Sequence, residues 1–393
     1  MYTWPLINDN VTASDRKVLS EFILDNQRLT NGPKVKQFEE VWSNWLGVKH
    51  STMVNSGNSG NFISMAMVKH LRGVGEVIVP PLGWVSDVSS AVQLGMTVRF
   101  VDISLHNLAI SADNIRKAIN ENTKAIVLVH CLGFNAINEE IINIAKEHNL
   151  LLIEDCCEAH GATYQGKKVG SFGDISIFSF YFGHHITTIE GGMVCVNDPD
   201  LHDLARLFRS HGMTREASPA LQSEYQRKYP QLNPLFTFAV PGFNMRSTEL
   251  NAVLGLEQMK RIDSNIEKRK KNLDIWLQHL DSSKYYTHFD VEGNSNFALP
   301  LILKNSEISM LSICDILEQH GVEYRLGTAG GGDQSIQPYM EAYKHFTDES
   351  MKNIQYVHSH SLYVGNHTDL SDQEIVNLCE KLNNSNNLRF HTL

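Results

Sequence analysis

Three short segments hold residues whose types and spacing carry chemistry. The loop Asn55–Asn61 reads NSGNSGN, follows a strand-like apolar run and opens a helical pattern. Glycine and small polar residues at such a junction free backbone N–H groups, and the dipole at a helix start favours negative charge. Gly57, Asn58 and Ser59 are therefore either contacts of a phosphate or part of an ordinary helix entry capped by Ser or Asn. The segment Ile153–Gly161 reads IEDCCEAHG. Asp155 ends an apolar run, where an unpaired carboxylate is costly. A protonated ring nitrogen would satisfy it, and so would a helix start that it caps. Glu158 and His160 follow closely, as site groups or as solvated ones. The third segment, Ser179–Val194, reads SFYFGHHITTIEGGMV. Its adjacent His184 and His185 move protons near neutral pH. Neighbouring residues point in different directions, so only one of the two is expected to face a ligand, and no metal is assigned to the pair.

These segments must be positioned by the elements around them. Apolar runs at Glu76–Pro80, Thr97–Ile103, Ala125–His130, Leu150–Asp155, Asp174–Phe180 and Met193–Val196 alternate with helical patterns such as Asn58–Leu71 and Asn138–Asn149. Short continuous apolar strands between helices imply an α/β fold with a mostly parallel sheet covered on both faces. Ligands in such sheets bind beyond the carboxyl ends of strands, where Asp155 stands. Arg215–Phe236 is polar, contains Pro219, Pro230 and Pro234, and reads as a long loop. A long helical pattern from about Ser247 to Leu280 then leads into an α+β part: a strand at Phe297–Leu303 and helices at Glu307–Gly321 and Asp372–Asn384. The glycine-rich Thr328–Gln334 reads as a loop facing the domain interface. The expected division is a large domain with an N-terminal arm over residues 1–255 and a smaller C-terminal domain over 256–393.

The 393 residues suffice for two such domains, and 42% apolar with 20% charged residues is the balance of an ordinary globular enzyme. A formal charge of -10 argues against nucleic acid as partner. No apolar stretch is long enough to span a membrane, and the start lacks a signal-peptide pattern, so a cytoplasmic protein is expected. Cys131, Cys156, Cys157, Cys195, Cys314 and Cys379 match no zinc or disulfide framework and are expected to be free thiols.

The third segment is similar to one in the DegT/DnrJ/EryC1/StrS family of sugar aminotransferases. There a Ser-Phe pair is followed by a lysine five residues after the serine, a Thr-rich turn and Glu-Gly-Gly. Ser179, Phe180, Thr187, Thr188 and Glu190-Gly191-Gly192 match, while His184 stands at the lysine position. Lys167 and Lys168 fall in a polar hairpin-like turn and do not replace it. The resemblance covers nearly the whole chain. Leu29–Glu40 resembles the family's N-terminal segment, Ser56–Gly60 its phosphate loop, Val79–Asp87 its segment with a ring-stacking aromatic, and Gly242–Asp263 its Gly-Tyr-Asn-Tyr-Arg stretch.

The resemblance implies a fold type I, aspartate aminotransferase-like enzyme with pyridoxal 5'-phosphate or pyridoxamine 5'-phosphate as cofactor. It makes Gly57, Asn58 and Ser59 phosphate contacts, Trp84 the stacking ring and Asp155 the partner of the ring nitrogen. Ser179 becomes a further contact, and Glu158 lies near the ring hydroxyl. Asn244 would reach the cofactor phosphate of a neighbouring subunit in a homodimer. By itself Trp84 is equally a core residue, and Asn244 and Arg246 the end of a helix.

Histidine cannot form the stable imine that lysine forms, but it can act as base and acid. This exchange is what the family's 3-dehydratase branch has, and the segment resembles the branch that acts on GDP-4-keto-6-deoxymannose. The implied route takes an amine from L-glutamate and condenses it with the C4 ketone of a nucleotide-linked 4-keto-6-deoxy sugar. His184, the catalytic residue, then moves the proton that lets the C3 hydroxyl leave. Hydrolysis releases ammonia and a 3,6-dideoxy sugar of the kind built into lipopolysaccharide O-antigen. A related branch needs an iron–sulfur cluster, which the scattered cysteines disfavour. An aminotransferase working without lysine, or an inactive regulatory relative, are the alternatives. Gly183, just before His184, is expected to leave room for the imidazole.

Overall fold

The sheet forms where the apolar runs are longest and least interrupted. In the computed structural model, which describes residues 2–25, 28–304, 308–347 and 351–385, thirteen strands are labelled in chain order. They are β1 (His50–Val54), β2 (Glu76–Val79), β3 (Thr97–Phe100), β4 (Thr123–Val129), β5 (Leu151–Asp155), β6 (Thr163–Tyr164), β7 (Lys167–Lys168), β8 (Ile175–Ser179), β9 (Gly192–Val196), β10 (Ala298–Ile302), β11 (Tyr324–Leu326), β12 (His345–Thr347) and β13 (Ser361–Gly365). The main sheet has the order β1-β9-β8-β5-β4-β2-β3-β12. β3, β2, β4, β5 and β8 run parallel, and β9 and β1 are antiparallel to their neighbours. Every residue of β2, β5 and β8 is buried, as expected for strands covered on both faces. The fold is thus that of the aspartate aminotransferase-like α/β enzymes.

The parallel register sets the strand ends level. Val129 of β4 pairs with Asp155, and Asp155 pairs with Ile177 of β8, so the ends of β4, β5 and β8 lie side by side. The helix Gly57–Arg72 opens beside them. Ser56 caps it by accepting from the Ser59 N–H, and Lys69, His70 and Arg72 complement the dipole at its end. It lies close on β8 because Gly60 has no side chain: a Cβ there would sit 2.7 Å from Ile177 Cγ2.

The C-terminal part carries the antiparallel sheet β10-β13-β11. The helices Ile262–His279, Met310–Gln319 and Asp372–Asn383 accompany it. Glu307, the expected start of the middle helix, lies outside the described residues. β12 leaves this part and joins the main sheet, parallel to β3. At the other end of the chain, residues 2–12 lie along the C-terminal part. Trp4 Nε1 donates to the Gly365 carbonyl at 2.9 Å, and the Leu6 N–H donates to Glu323 at 2.9 Å.

Two expectations are corrected. The long helix is broken: Glu249–Gln258 and Ile262–His279 are separated by a 3-10 turn at Met259–Arg261. Arg261 has non-helical angles (φ -126°, ψ 6°) while its guanidinium reaches Asp15 and the Asn10 carbonyl, tying the N-terminal arm to the break. The long loop Arg215–Phe236 contains a helix, Pro219–Lys228, capped by Ser218 and started by Pro219. That helix buries none of its residues, so it leaves no apolar periodicity in the sequence.

Candidate active site

At the end of β5, Asp155 is 5% exposed. One carboxylate oxygen accepts from the Cys157 N–H at 2.9 Å and the other from Asn61 Nδ2 at 2.8 Å. Among the described residues no cation pairs with it, so a buried carboxylate is left with hydrogen bonds alone. The neighbouring strand ends at Ser179, whose Oγ accepts from the Tyr181 N–H. Gly57, at the start of the first helix, closes the group: a Cβ there would meet Ser179 Cβ at 2.7 Å and Cys157 Sγ at 3.1 Å. Ser59 is buried and bonded to Ser56 and Asn55, while Asn58 is exposed. Ser56 thus caps Ser59, and the Gly57 and Asn58 N–H groups find no acceptor among the described residues. The loop is therefore capped and still keeps free donors.

Trp84 precedes the helix Val85–Gln93 and is 62% exposed, so it is no core residue. The Thr328–Gln334 loop does sit at the junction of the two parts: the Gln334 N–H donates to the Pro81 carbonyl at 2.8 Å, and Leu82 bridges to Asp333. Glu158 accepts from the Leu132 N–H at 2.7 Å. Burial pushes its carboxyl up to about 7, with Asp155 adding to the rise against the Leu132 bond.

His184 lies in the connection between β8 and β9. Its ring packs on Phe297 (centroids 5.2 Å apart, planes 33° apart), beside His160 at 5.8 Å and the edge of Tyr181 at 6.1 Å. Burial pushes the imidazole down to about 4; Arg269 pushes in the same direction and Asp155 against it. The ring is therefore a neutral base at physiological pH. His185 has its Nε2 3.0 Å from the Ser295 carbonyl. At Gly183 a Cβ would sit 2.8 Å from Ile7 Cδ1 of the N-terminal arm. Asn244 is exposed and makes no side-chain hydrogen bond within the chain among the described residues. The lysines stand where the sequence put them, Lys167 and Lys168 forming β7 of a two-stranded hairpin.

The sequence reading missed Asn61 and Asp87. Asn61 Nδ2 lies 2.8 Å from Asp155, 3.0 Å from Asp87 and 3.1 Å from Ser86 Oγ, so one amide bridges two carboxyls. Asp87 is 3% exposed and its second oxygen has no partner. Burial first, then Asp155, push its carboxyl well up. Asn61 stands four residues after Gly57, on the same helix face, which is the signal that could have revealed it. A different buried group, His130, Glu154 and Cys156, brings potential metal ligands within 4.8 Å of one another. Its polar atoms are used: Glu154 accepts from Gly170, Phe172, Gly173 and His130, and His130 Nδ1 accepts from Ala136. It ties the turn before β8 to the sheet.

A buried carboxylate lacking a cation, free N–H groups at a helix start, an exposed indole and a neutral base suit one kind of ligand: an aromatic cation bearing a phosphate. The residues fit pyridoxal phosphate, and fold and site together define a pyridoxal-phosphate-dependent enzyme. The chain belongs to the DegT/DnrJ/EryC1/StrS aminotransferase family, whose model matches residues 11–383. It is 33% identical to GDP-4-keto-6-deoxy-D-mannose 3-dehydratase of Yersinia pseudotuberculosis, over 95% of this chain and 96% of that one. The solved E. coli GDP-4-keto-6-deoxy-D-mannose 3-dehydratase with bound hydrated pyridoxal phosphate superposes with a TM-score of 0.89 at 29% identity, covering 97% of this chain and all of that one. A GDP-4-keto-6-deoxymannose 3-dehydratase structure with a trapped cofactor–glutamate geminal diamine gives 0.87 at 28% identity, covering 97% of this chain and 100% of that one. No helix among the described residues is long and apolar enough to cross a membrane.

Proposed function

We propose that this chain is a 3-dehydratase of a nucleotide-linked 4-keto-6-deoxy sugar, with GDP-4-keto-6-deoxymannose the leading substrate and L-glutamate the amine donor. The observation that carries this reading is a neutral, buried imidazole at His184 in the place where an aminotransferase needs a primary amine. When bound, the cofactor supplies an amine and an electron sink. Asp155 would hold the ring nitrogen, Trp84 would cover the ring, and Ser179 with the free N–H groups of Gly57 and Asn58, beside Ser59, would take the phosphate. Glu158, titrating near 7, can donate to or accept from the ring hydroxyl. His184 takes a proton on its imidazole and hands it to the departing C3 hydroxyl, which leaves as water. Without an amine of its own the site cannot capture the cofactor covalently, so amine delivered by glutamate ends as ammonia.

Asn244 points outward from its own chain, which fits a homodimer in which it completes the partner's phosphate site. A cytoplasmic enzyme of polysaccharide biosynthesis belongs to the same reading. The test combines purified protein, pyridoxal phosphate, glutamate and GDP-4-keto-6-deoxymannose, followed by mass spectrometry of the sugar and an ammonia assay. Loss of the C3 oxygen with ammonia release, abolished in His184→Asn, is expected. A stable amino sugar would make the protein an aminotransferase without lysine, and no turnover would sink the substrate assignment.

A further inference from the structure

Arg269 is a charged group near His184 whose setting the reaction above does not use. It lies on the helix Ile262–His279 and is 6% exposed. Its Nη1 donates to the Phe297 carbonyl at 2.8 Å, and its Nε is buried without a partner. Among the described residues no carboxylate forms an ion pair with it. Buried guanidinium groups are ordinarily paired, because an uncompensated charge in the interior is costly. Burial lowers this one to about 10, which still leaves it charged at neutral pH.

Its neighbours are imidazoles. Arg269, His184, His185 and His367 wall a cavity of about 170 Å³ under the N-terminal arm. Phe297, whose carbonyl Arg269 holds, lays its ring on His184. A fixed positive charge so close opposes a second positive charge on the imidazole. The other groups around His184 do not cancel it. Asp155 opposes it with the weaker influence. His160 and His185 are held neutral by burial, and burial also lowers His367. Asp9, Asp369 and Arg261 line the same cavity, and Arg261 is itself paired with Asp15.

We propose that Arg269 is a positioning residue for the dehydration: it fixes Phe297 against His184 and keeps the imidazole a free base that surrenders a proton as soon as it takes one. The proposal rests on His184 being the proton carrier of the proposed function. A base weakened by a neighbouring charge is the stronger acid once protonated, so the same residue favours delivery of that proton to the C3 hydroxyl. The proton removed is the proton delivered, and the imidazole returns to its starting state with no oxidant or reductant.

The test is histidine-labelled NMR of the protein without cofactor, with the His184 signal assigned through His184→Asn. Between roughly pH 5.5 and 7.5 the His184 ring of the parent should stay unprotonated. In Arg269→Met, which keeps bulk and drops charge, its midpoint should rise by about one unit or more, read as a protonated fraction about tenfold larger at the acid end of that window. Arg269→Lys should restore the parent titration, and Arg269→Gln serves if the Met variant does not fold. The acid limb of kcat should move with the midpoint in the neutral variants and stay in place in Arg269→Lys. An unchanged midpoint in the neutral variants, or equal losses in all variants with one pH profile, would overturn the proposal in favour of plain packing. Failure of the proposed reaction itself would appear differently, as no dehydration by the parent with its His184 titration unaffected.

Discussion

Asp155 and Ser179 drew attention in the sequence because each stands at the end of an apolar run, where the parallel strands of the fold come level, whereas His184 drew it through its place in a segment resembling the family's. Asn61 and Asp87 did not, because each is a polar residue inside a helix pattern, and only the packing of two helices over β5 brings them to Asp155. Their meeting makes a prediction. Burial and Asp155 push the Asp87 carboxyl well up, so Asp87→Asn, a neutral isostere, should change cofactor affinity by no more than about threefold. Asp87→Ala removes one of three acceptors around Asn61 Nδ2 and leaves a void beside Asp155, so it should weaken cofactor binding more than Asp87→Asn does. Equilibrium dialysis with pyridoxamine phosphate separates the two; a large loss in the Asn variant would mean that Asp87 carries charge.

At the scale of elements, the sheet and its covering helices followed from alternating apolar runs, and the failures share one physical cause. The helix Pro219–Lys228 fully buries no residue and rests only Leu221 partly on the core, and the break at Met259–Arg261 is tied to a distant partner, the Asp15 carboxylate, rather than to glycine or proline. Neither leaves a local trace beyond the Ser218-Pro219 start signal. The helix Gly57–Arg72 does depend on a local residue. Gly60→Ala would gain up to about 1 kcal/mol in helix propensity. It would also drive a methyl to within 2.7 Å of Ile177, which is fully buried and cannot swing aside. Overpacking of that kind costs about 1–3 kcal/mol. The variant should therefore lose roughly 1–2 kcal/mol in urea unfolding and bind phosphate-bearing cofactor more weakly; unchanged stability would mean that the helix start can slide off the sheet freely.

Across the whole molecule, the buried imidazoles tie stability to pH. His160, His184 and His185 are all held below their ordinary value of 6.5, chiefly by burial, and His184 is pushed down to about 4. Between those values the unfolded chain binds protons that the folded chain refuses, so stability is full above about 6.5 and falls as pH drops towards 4. Urea midpoints at pH 7.5, 6 and 5 should decline, and His184→Asn should shallow the decline; a flat series would mean that the three rings are hydrated in solution.

β12 gives the molecule a last property. A strand drawn from residues 345–347 forms the outer edge of a sheet otherwise built from residues 50–196. The chain is in effect stitched back through itself, so the two parts are not modules that can be cut apart and exchanged with those of a relative. A fragment ending at residue 255 would bare the hydrogen-bonding edge of β3, an invitation to aggregation. For anyone grafting a new C-terminal half onto this scaffold, the seam lies not at one point along the chain but along a strand.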